Sequence, residues 1–263
     1  MKISWNRRQV LLATGAAASA SILGHLFLRP DSVDAATFTR RDVGNLTASD
    51  SQITSYAKAV TAMQGLPASD PRSWTYQAAI HGTTAPCPCP TSWKTCEHGT
   101  EFFWSWHRMY LYYFERIVRS MSGDSGWALP YWNWQLSTER TLPPMFQNTT
   151  SSLYTSNRDP SMNAGTGSLA NWVVDCSTAL GDLDFASAVE DIQTPHGNVH
   201  VNVGGWMGSV PTSAQDPSSI FTTATSIACG TSGWPRAVDA AIPSQTQPGR
   251  ERHTRSSTKI ETP

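Results

Sequence analysis

The chain has 263 residues, 39% of them hydrophobic, with a formal net charge of -1 from 19 basic and 20 acidic side chains. That length allows one domain with a core of its own, and a near-neutral chain without a polybasic footprint argues against nucleic acid as a partner. Eleven tryptophans are many for the length and point to a large aromatic interior or an aromatic-lined cleft.

The N-terminus reads as a separate segment. Lys2, Arg7 and Arg8 precede Val10-Leu11-Leu12 and an Ala-rich apolar run to about Leu28, the order of a secretory signal. Asn6-Arg7-Arg8-Gln9-Val10-Leu11 resembles a twin-arginine signal, so the expected destination is the periplasm or the exterior, reached already folded. The alternative is a membrane anchor, but Gly15, Ser19, Ser21, Gly24 and His25 dilute the apolar run, so no stable span is expected. Residues 1–36 are assigned to the signal, and the mature chain starts near Thr37. The five cysteines are Cys87, Cys89, Cys96, Cys176 and Cys229. Export permits disulfides, and spacing alone does not fix their pairing. Cys87 and Cys89 are too close to bridge each other easily.

Thr47-Ala48-Ser49-Asp50 is a capping signal with an acid at its fourth position. It predicts a helix over 49–64 with Ile53, Tyr56, Ala57 and Val60 on one face, ended by Gly65 and Pro67. A shorter helix is predicted over 74–81, then a Pro/Cys loop over 82–94. The strongest pattern is a helix over 101–121, where His107, Leu111, Phe114, Ile117 and Val118 share a face. Leu129-Pro130-Tyr131-Trp132-Asn133-Trp134 reads as an aromatic turn. Residues 135–185 read as long polar loops, and 196–203 as a short helical or turn segment closed by Gly204-Gly205.

Five of the six histidines after the signal fall in two groups: His81, His98 and His107, then His196 and His200. Imidazole suits copper, zinc, iron or nickel. His196 and His200 are four residues apart, one helical turn, so both can reach one ion. The zinc-protease pattern fails because Gly197 stands where its glutamate base belongs, which disfavours a hydrolase. The bland alternative makes His107 a core residue and leaves His81 and His98 on the surface.

The text Phe103-Trp104-Ser105-Trp106-His107-Arg108-Met109-Tyr110-Leu111-Tyr112-Tyr113-Phe114-Glu115, then Leu129 to Trp134, Pro195-His196-Gly197-Asn198-Val199-His200 and Gly204-Gly205-Trp206-Met207, resembles the type-3 copper proteins: tyrosinases, catechol oxidases and related polyphenol oxidases. The resemblance runs from about Arg41 to Pro217, and residues 37–217 are assigned to a truncated copper-binding domain. It implies a mainly α-helical fold, a four-helix bundle around two copper ions with long irregular loops. It further implies that His81, His98 and His107 hold the first copper, and that His196 and His200 supply two of three ligands to the second. The implied reaction is oxidation of o-diphenols to o-quinones by O2, in some members preceded by hydroxylation of monophenols. Cys96, two residues before His98, matches a cysteine that in some members forms a thioether to that histidine; a disulfide is its other use. Gly197 replaces an asparagine found in several monophenol-hydroxylating relatives, which tilts the expectation toward diphenols. Glu190 and Asp191 are both candidates for an acidic partner. Arg108 and Glu115 are expected to make structural contacts, and Phe102, Trp104 and Trp106 to be either core or substrate contacts. No feature identifies a copper-delivery partner.

The resemblance breaks after Asp216-Pro217. The family's next motif, approximately Asp-Pro-x-Phe-x-x-His-His-x-Asn-x-Asp-Arg-Leu-Trp, carries the sixth ligand, yet no histidine follows until His253. Codons can be chosen for residues 217–233 such that one base inserted into the proline codon turns the text into Pro-Ile-Phe-Tyr-Leu-His-His-Arg-Asn-Ile-Asp-Arg-Leu-Trp-Asn-Glu-Trp. The first two bases of each Thr, Ala, Ile and Gly codon are fixed, and they satisfy the shifted motif throughout. Residues 218–263 are therefore expected to be an out-of-frame or disordered tail, the bundle to be incomplete there, and the oxidase to be impaired. The alternatives are a non-catalytic or mononuclear copper-binding remnant, or an oxygen-binding protein with the same copper pair.

Overall fold

The computed structural model describes residues 38–84 and 90–232, with the backbone alone for 230–232. The segment expected to be an export signal, Cys87, Cys89 and the tail from 233 with His253 lie outside the described residues.

Five longer helices form the frame: α1 (Ser51–Gln64), α2 (Trp74–His81), α3 (Phe103–Ser122), α4 (Phe185–Val203) and α5 (Ser219–Ser232). Among the described residues the only strand-like pairing is an isolated bridge between Asp42 and Tyr131. The protein is thus mainly α, as expected.

Each helix follows from local chemistry. Before α1, the Asp50 carboxylate accepts from the Thr47 amide at 2.7 Å and its hydroxyl at 2.8 Å. That turn precedes the helix without a side chain capping it, and the helix begins two residues later than predicted, with Ile53, Tyr56, Ala59, Val60 and Met63 buried. Ser73 caps α2 by accepting from the Tyr76 amide. Helix α3 buries Phe103, His107, Leu111, Phe114 and Val118 and stops at Gly123, whose φ of 76° is left-handed.

Helix α4 corrects the short segment expected at 196–203, since it spans 19 residues and runs through Pro195. An interior proline costs a helix roughly 3 kcal/mol. The buried stripe of Val189, Ile192, His196, Val199 and Val203 outweighs it. The 135–185 region is long and irregular as predicted, but carries short helical turns at Ser137–Glu139, Pro144–Phe146, Pro160–Asn163, Asn171–Val174 and Ser177–Gly181.

The larger correction concerns the C-terminal segment. Of residues 218–263, expected to be an out-of-frame or disordered tail, 219–232 form α5, which packs on α4 and α3 where the bundle was expected to be incomplete. Ile220, Phe221, Ala224 and Ile227 give it apolar contact. Three of its buried hydroxyls are satisfied within the helix, since Thr223 donates to the Ser219 carbonyl, Thr225 to Phe221 and Ser226 to Thr222, whereas that of Thr222 is left without a partner. Such bonding four residues back lets a Ser/Thr-rich helix be buried without orphaning each hydroxyl. Asp216 starts α5 by accepting from the Ser218 amide and hydroxyl, and is itself held by Arg158 at 2.7 and 2.8 Å, both side chains fully buried.

The core between these helices is aromatic. Tyr56 stacks on Trp127, with ring centroids 5.8 Å apart, and also meets Phe114 and Phe221. The 129–134 turn braces α5: Thr225 donates to the Trp132 carbonyl at 2.6 Å. Glu115 is buried and accepts from the Leu129 amide and Arg40, the structural role expected of it.

Candidate metal centre

His81 is the last residue of α2, His98 lies in the loop before α3, and His107 sits one turn into α3. Their ring centroids are 5.4 Å (81–98), 5.8 Å (81–107) and 5.2 Å (98–107) apart. One candidate ligand atom from each, together with Cys96 Sγ, lies within 4.8 Å of all the others. Among the described residues this is the only such group of three or more, and no carboxylate belongs to it. His196 and His200 face each other one turn apart on α4, centroids 4.6 Å apart. His196 lies 6.3 Å from His98 and 6.0 Å from His107. All five imidazoles foreseen from the sequence therefore converge.

The rings are oriented from behind. Nδ1 of His107 points at the Phe103 carbonyl (2.7 Å), that of His81 at Val210 (3.2 Å) and that of His200 at Met207 (3.2 Å). A ring nitrogen against a carbonyl must carry the proton, which leaves the lone pair on Nε2. Burial holds His81 down to about 3 and His200 to about 4, and drives His107 and His196 well below the usual histidine range. At neutral pH these rings are uncharged, the form that binds a metal.

The Cys96 sulfur lies 3.2 Å from His98 Nδ1, 3.8 Å from His98 Nε2 and 3.3 Å from His107 Nε2. Phe103, fully buried, packs on His107 at 4.2 Å and on His196 at 5.0 Å and so touches both histidine groups.

The second group is built differently. His196 Nδ1 meets the Ser226 hydroxyl of α5 at 2.9 Å, and Asp216, just before α5, acts on His200 by its charge. Helix α5 thus runs antiparallel to α4. Thr222, one turn before Ser226, falls on the same face, fully buried, with its hydroxyl unpartnered. No third imidazole reaches this pair among the described residues, so the residues present fit one metal at the first group and do not complete a second.

The acid candidates are not with the histidines. Glu190 is exposed, and Asp191 hydrogen-bonds the Asp182 carboxyl. Trp104 is core, its indole donating to the Ser226 carbonyl, whereas Phe102 is 56% exposed. Trp106 is half-buried, stacked on Tyr110 beside His81 and His107. Arg108 is half-buried. Gly197 is half-buried, and a Cβ there would meet nothing within 4 Å.

Sequence reading missed Gln193, whose side chain accepts from the Gly99 amide at 2.6 Å and donates to the Thr100 carbonyl, tying the His98 loop to α4. The available signal was its place three residues before His196. It also missed Ser226, which lies in the text read as out of frame.

Two short groups of imidazoles delivered from three helices and one loop, inside a helical bundle, define a histidine-lined metal-binding domain. The description "common central domain of tyrosinase" matches residues 71–186 and 177–222, and the chain belongs to that family. The chain is 32% identical over 234 residues to tyrosinase HcTyr1 of Hahella sp. (strain CCB-MM4), covering 68% of this chain and 49% of that one. It is 34% identical over 178 residues to aureusidin synthase of Antirrhinum majus, covering 65% and 29%. It therefore spans half or less of the length of these relatives. In fold it resembles latent aurone synthase, a polyphenol oxidase (TM-score 0.62, 22% identity, 76% of this chain and 48% of that), and a functional unit of octopus hemocyanin (TM-score 0.62, 19% identity, 79% and 56%).

Proposed function

We propose that this chain derives from an exported, copper-dependent oxidoreductase that converts o-diphenols to o-quinones with O2, with its first copper site intact and its second short of one ligand. The observation that carries the reading is the single 4.8 Å group formed by His81, His98 and His107 beside the His196–His200 pair. Copper, when bound, supplies the one-electron redox steps and the affinity for O2 that side chains lack. In the overall balance each diphenol gives up two electrons and two protons, and O2 takes four of each to become two waters. The protein's share is to hold neutral rings in place through Phe103, Val210 and Met207.

The missing ligand maps onto Thr222 and Thr223. In the shifted reading the two adjacent histidines fall at these positions, and Thr222 is the residue whose buried hydroxyl has no partner on the face toward α4. A lost base near codon 217 accounts for both facts. Rereading the gene there tests the frame. The protein-level test is Thr222→His: copper should rise from about one to about two per folded chain, with turnover of catechol appearing. A variant that folds yet stays at one copper would end the assignment of the second site.

A second reading, a mononuclear copper-binding module, is favoured for the chain as written, because only one histidine group reaches three ligands. An oxygen carrier is the third, and reversible O2 binding without catechol turnover in the repaired chain would select it. Exposed space at Gly197 allows an asparagine there, and Gly197→Asn in the repaired chain should raise monophenol hydroxylation relative to diphenol oxidation. The position of the Cys96 sulfur favours a thioether to His98, since both ring nitrogens near it flank the same carbon. A peptide mass lower by two hydrogens checks it.

A further inference from the structure

Outside the histidine site, two buried cysteines from distant parts of the chain meet. Cys176 follows the Asn171–Val174 turn and Cys229 lies near the end of α5; they are 3% and 8% exposed. Both are thiols, and their side chains hydrogen-bond each other. Cys176 also contacts Gln135 and lines an open groove of about 590 Å³ with Arg140, Trp172 and Leu180.

We propose that Cys176 and Cys229 are a disulfide-forming pair that fastens α5 to the 171–181 turns. Their side chains are within hydrogen-bonding reach, and the segments that carry them pack together. Cys176 lines the groove and Cys229 does not, so a small disulfide donor would approach from the Cys176 side. The hydrogen bond from Cys229 holds the Cys176 thiol below the usual cysteine range while Cys229 is raised, which makes Cys176 the entry thiol. The Cys176 thiolate attacks the donor's S–S bond, forming a mixed disulfide and releasing one donor thiol. Cys229 then loses its proton and attacks the Cys176 sulfur, releasing the second donor thiol. Two protein hydrogens end on two donor thiols, and the donor is reduced by two electrons.

The link closes a loop carrying all of α4, and it fixes the helix that presents Ser226 to His196. It is independent of copper, and it exists only in the chain as written, since the shifted reading places leucine at 229.

The test uses the full purified chain with oxidised glutathione, without denaturant. Remaining thiols are then alkylated and the unreduced digest is mapped by mass spectrometry. The expected product is one linked peptide pair containing Cys176 and Cys229, lighter by two hydrogens than its parts, with a melting temperature raised by about 5–15 °C. Cys229→Ser should stop the reaction at a stable glutathione adduct on Cys176. Alkylation of both cysteines in the oxidised wild-type chain, or linkage of either to Cys87, Cys89 or Cys96, would overturn the proposal. An adduct on Cys229 in Cys176→Ser, with none on Cys176 in Cys229→Ser, would overturn the order of attack.

Discussion

The two halves of the histidine site are built on opposite plans. The first takes His81, His98 and His107 from two helices and a loop, and it is locked behind the rings by backbone carbonyls, which no substitution removes. The second takes two imidazoles from one helix; His200 is backed by the Met207 carbonyl, but His196 leans on a hydroxyl of α5. Its third wall position is Thr222, buried and unpartnered. An unsatisfied buried hydroxyl costs about 1–3 kcal/mol. A metal half-site is therefore robust where its ligands come from several elements with backbone support. It is fragile where one helix supplies the third ligand and the support together.

The sharpest way to break this contrast is to count copper. His107→Ala should drop the folded chain from about one copper to near none, whereas His196→Ala should leave it near one. Metal analysis of gel-filtered protein decides. Equal losses in the two variants would mean that the halves share one ion and that the contrast is false.

The next effect concerns what holds α5 in place. Arg158 and Asp216 are both fully buried, and the guanidinium also donates to the Phe146 and Leu153 carbonyls. Asp216→Ala leaves that cation unpaired in the interior and removes the cap of α5. It should cost about 3–5 kcal/mol, read as a lowered denaturant midpoint. Because the loss enters through α5, first-site copper should survive it better than the packing of His196.

The same contrast explains what could be read from the sequence. The first half was legible because its histidines sit beside strong local signals: the apolar stripe of α3 and the aromatic text around His107. All five imidazoles converge as anticipated, and the mainly helical bundle follows from the same stripes. Helix α4 was underestimated because Pro195 looks like a stop, and only burial of Val189 and Ile192 reveals that the helix continues. Helix α5 was placed in an out-of-frame or disordered tail because the family motif breaks after Pro217, and Thr and Ser are poor helix formers in isolation. Their bonding to carbonyls four residues back, and the pocket left between α3 and α4, become visible only in three dimensions. Of the two acid candidates, the turn of the helix faces Glu190 outward and Asp191 meets the Asp182 carboxyl, an arrangement that spacing alone does not show.

A smaller effect isolates the hydroxyl support itself. Ser226→Ala removes the partner of His196 Nδ1 without touching the Ser226 carbonyl that Trp104 uses. It should cost about 1 kcal/mol in urea unfolding. Ser226→Thr, which keeps the hydroxyl, should restore it. If alanine is as stable as serine, α5 does not support the second half through this bond.

The smallest effect is a pH dependence confined to the scaffold of that half. Glu139 accepts the Trp132 indole proton through its carbonyl, and Trp132 in turn accepts from Thr225 of α5. Its carboxyl is pushed up to about 7, first by burial and then by the hydrogen bond and charge of Asp42, and one of its oxygens is buried without a partner. A carboxyl raised in the folded state binds its proton more tightly there than in the unfolded chain. Its contribution is therefore complete below about pH 4.5 and is lost as pH rises through about 7. Part of the side chain reaches solvent, so the effect should stay near or below about 1 kcal/mol. Glu139→Gln removes the proton and should flatten the fall in the unfolding midpoint between pH 5 and pH 8, gaining most at the alkaline end. First-site copper should not respond, because its rings are held by Phe103 and Val210 and not by the 129–139 segment. A pH slope that persists unchanged in Glu139→Gln would place the titrating group elsewhere and remove the last distinction drawn between the two supports.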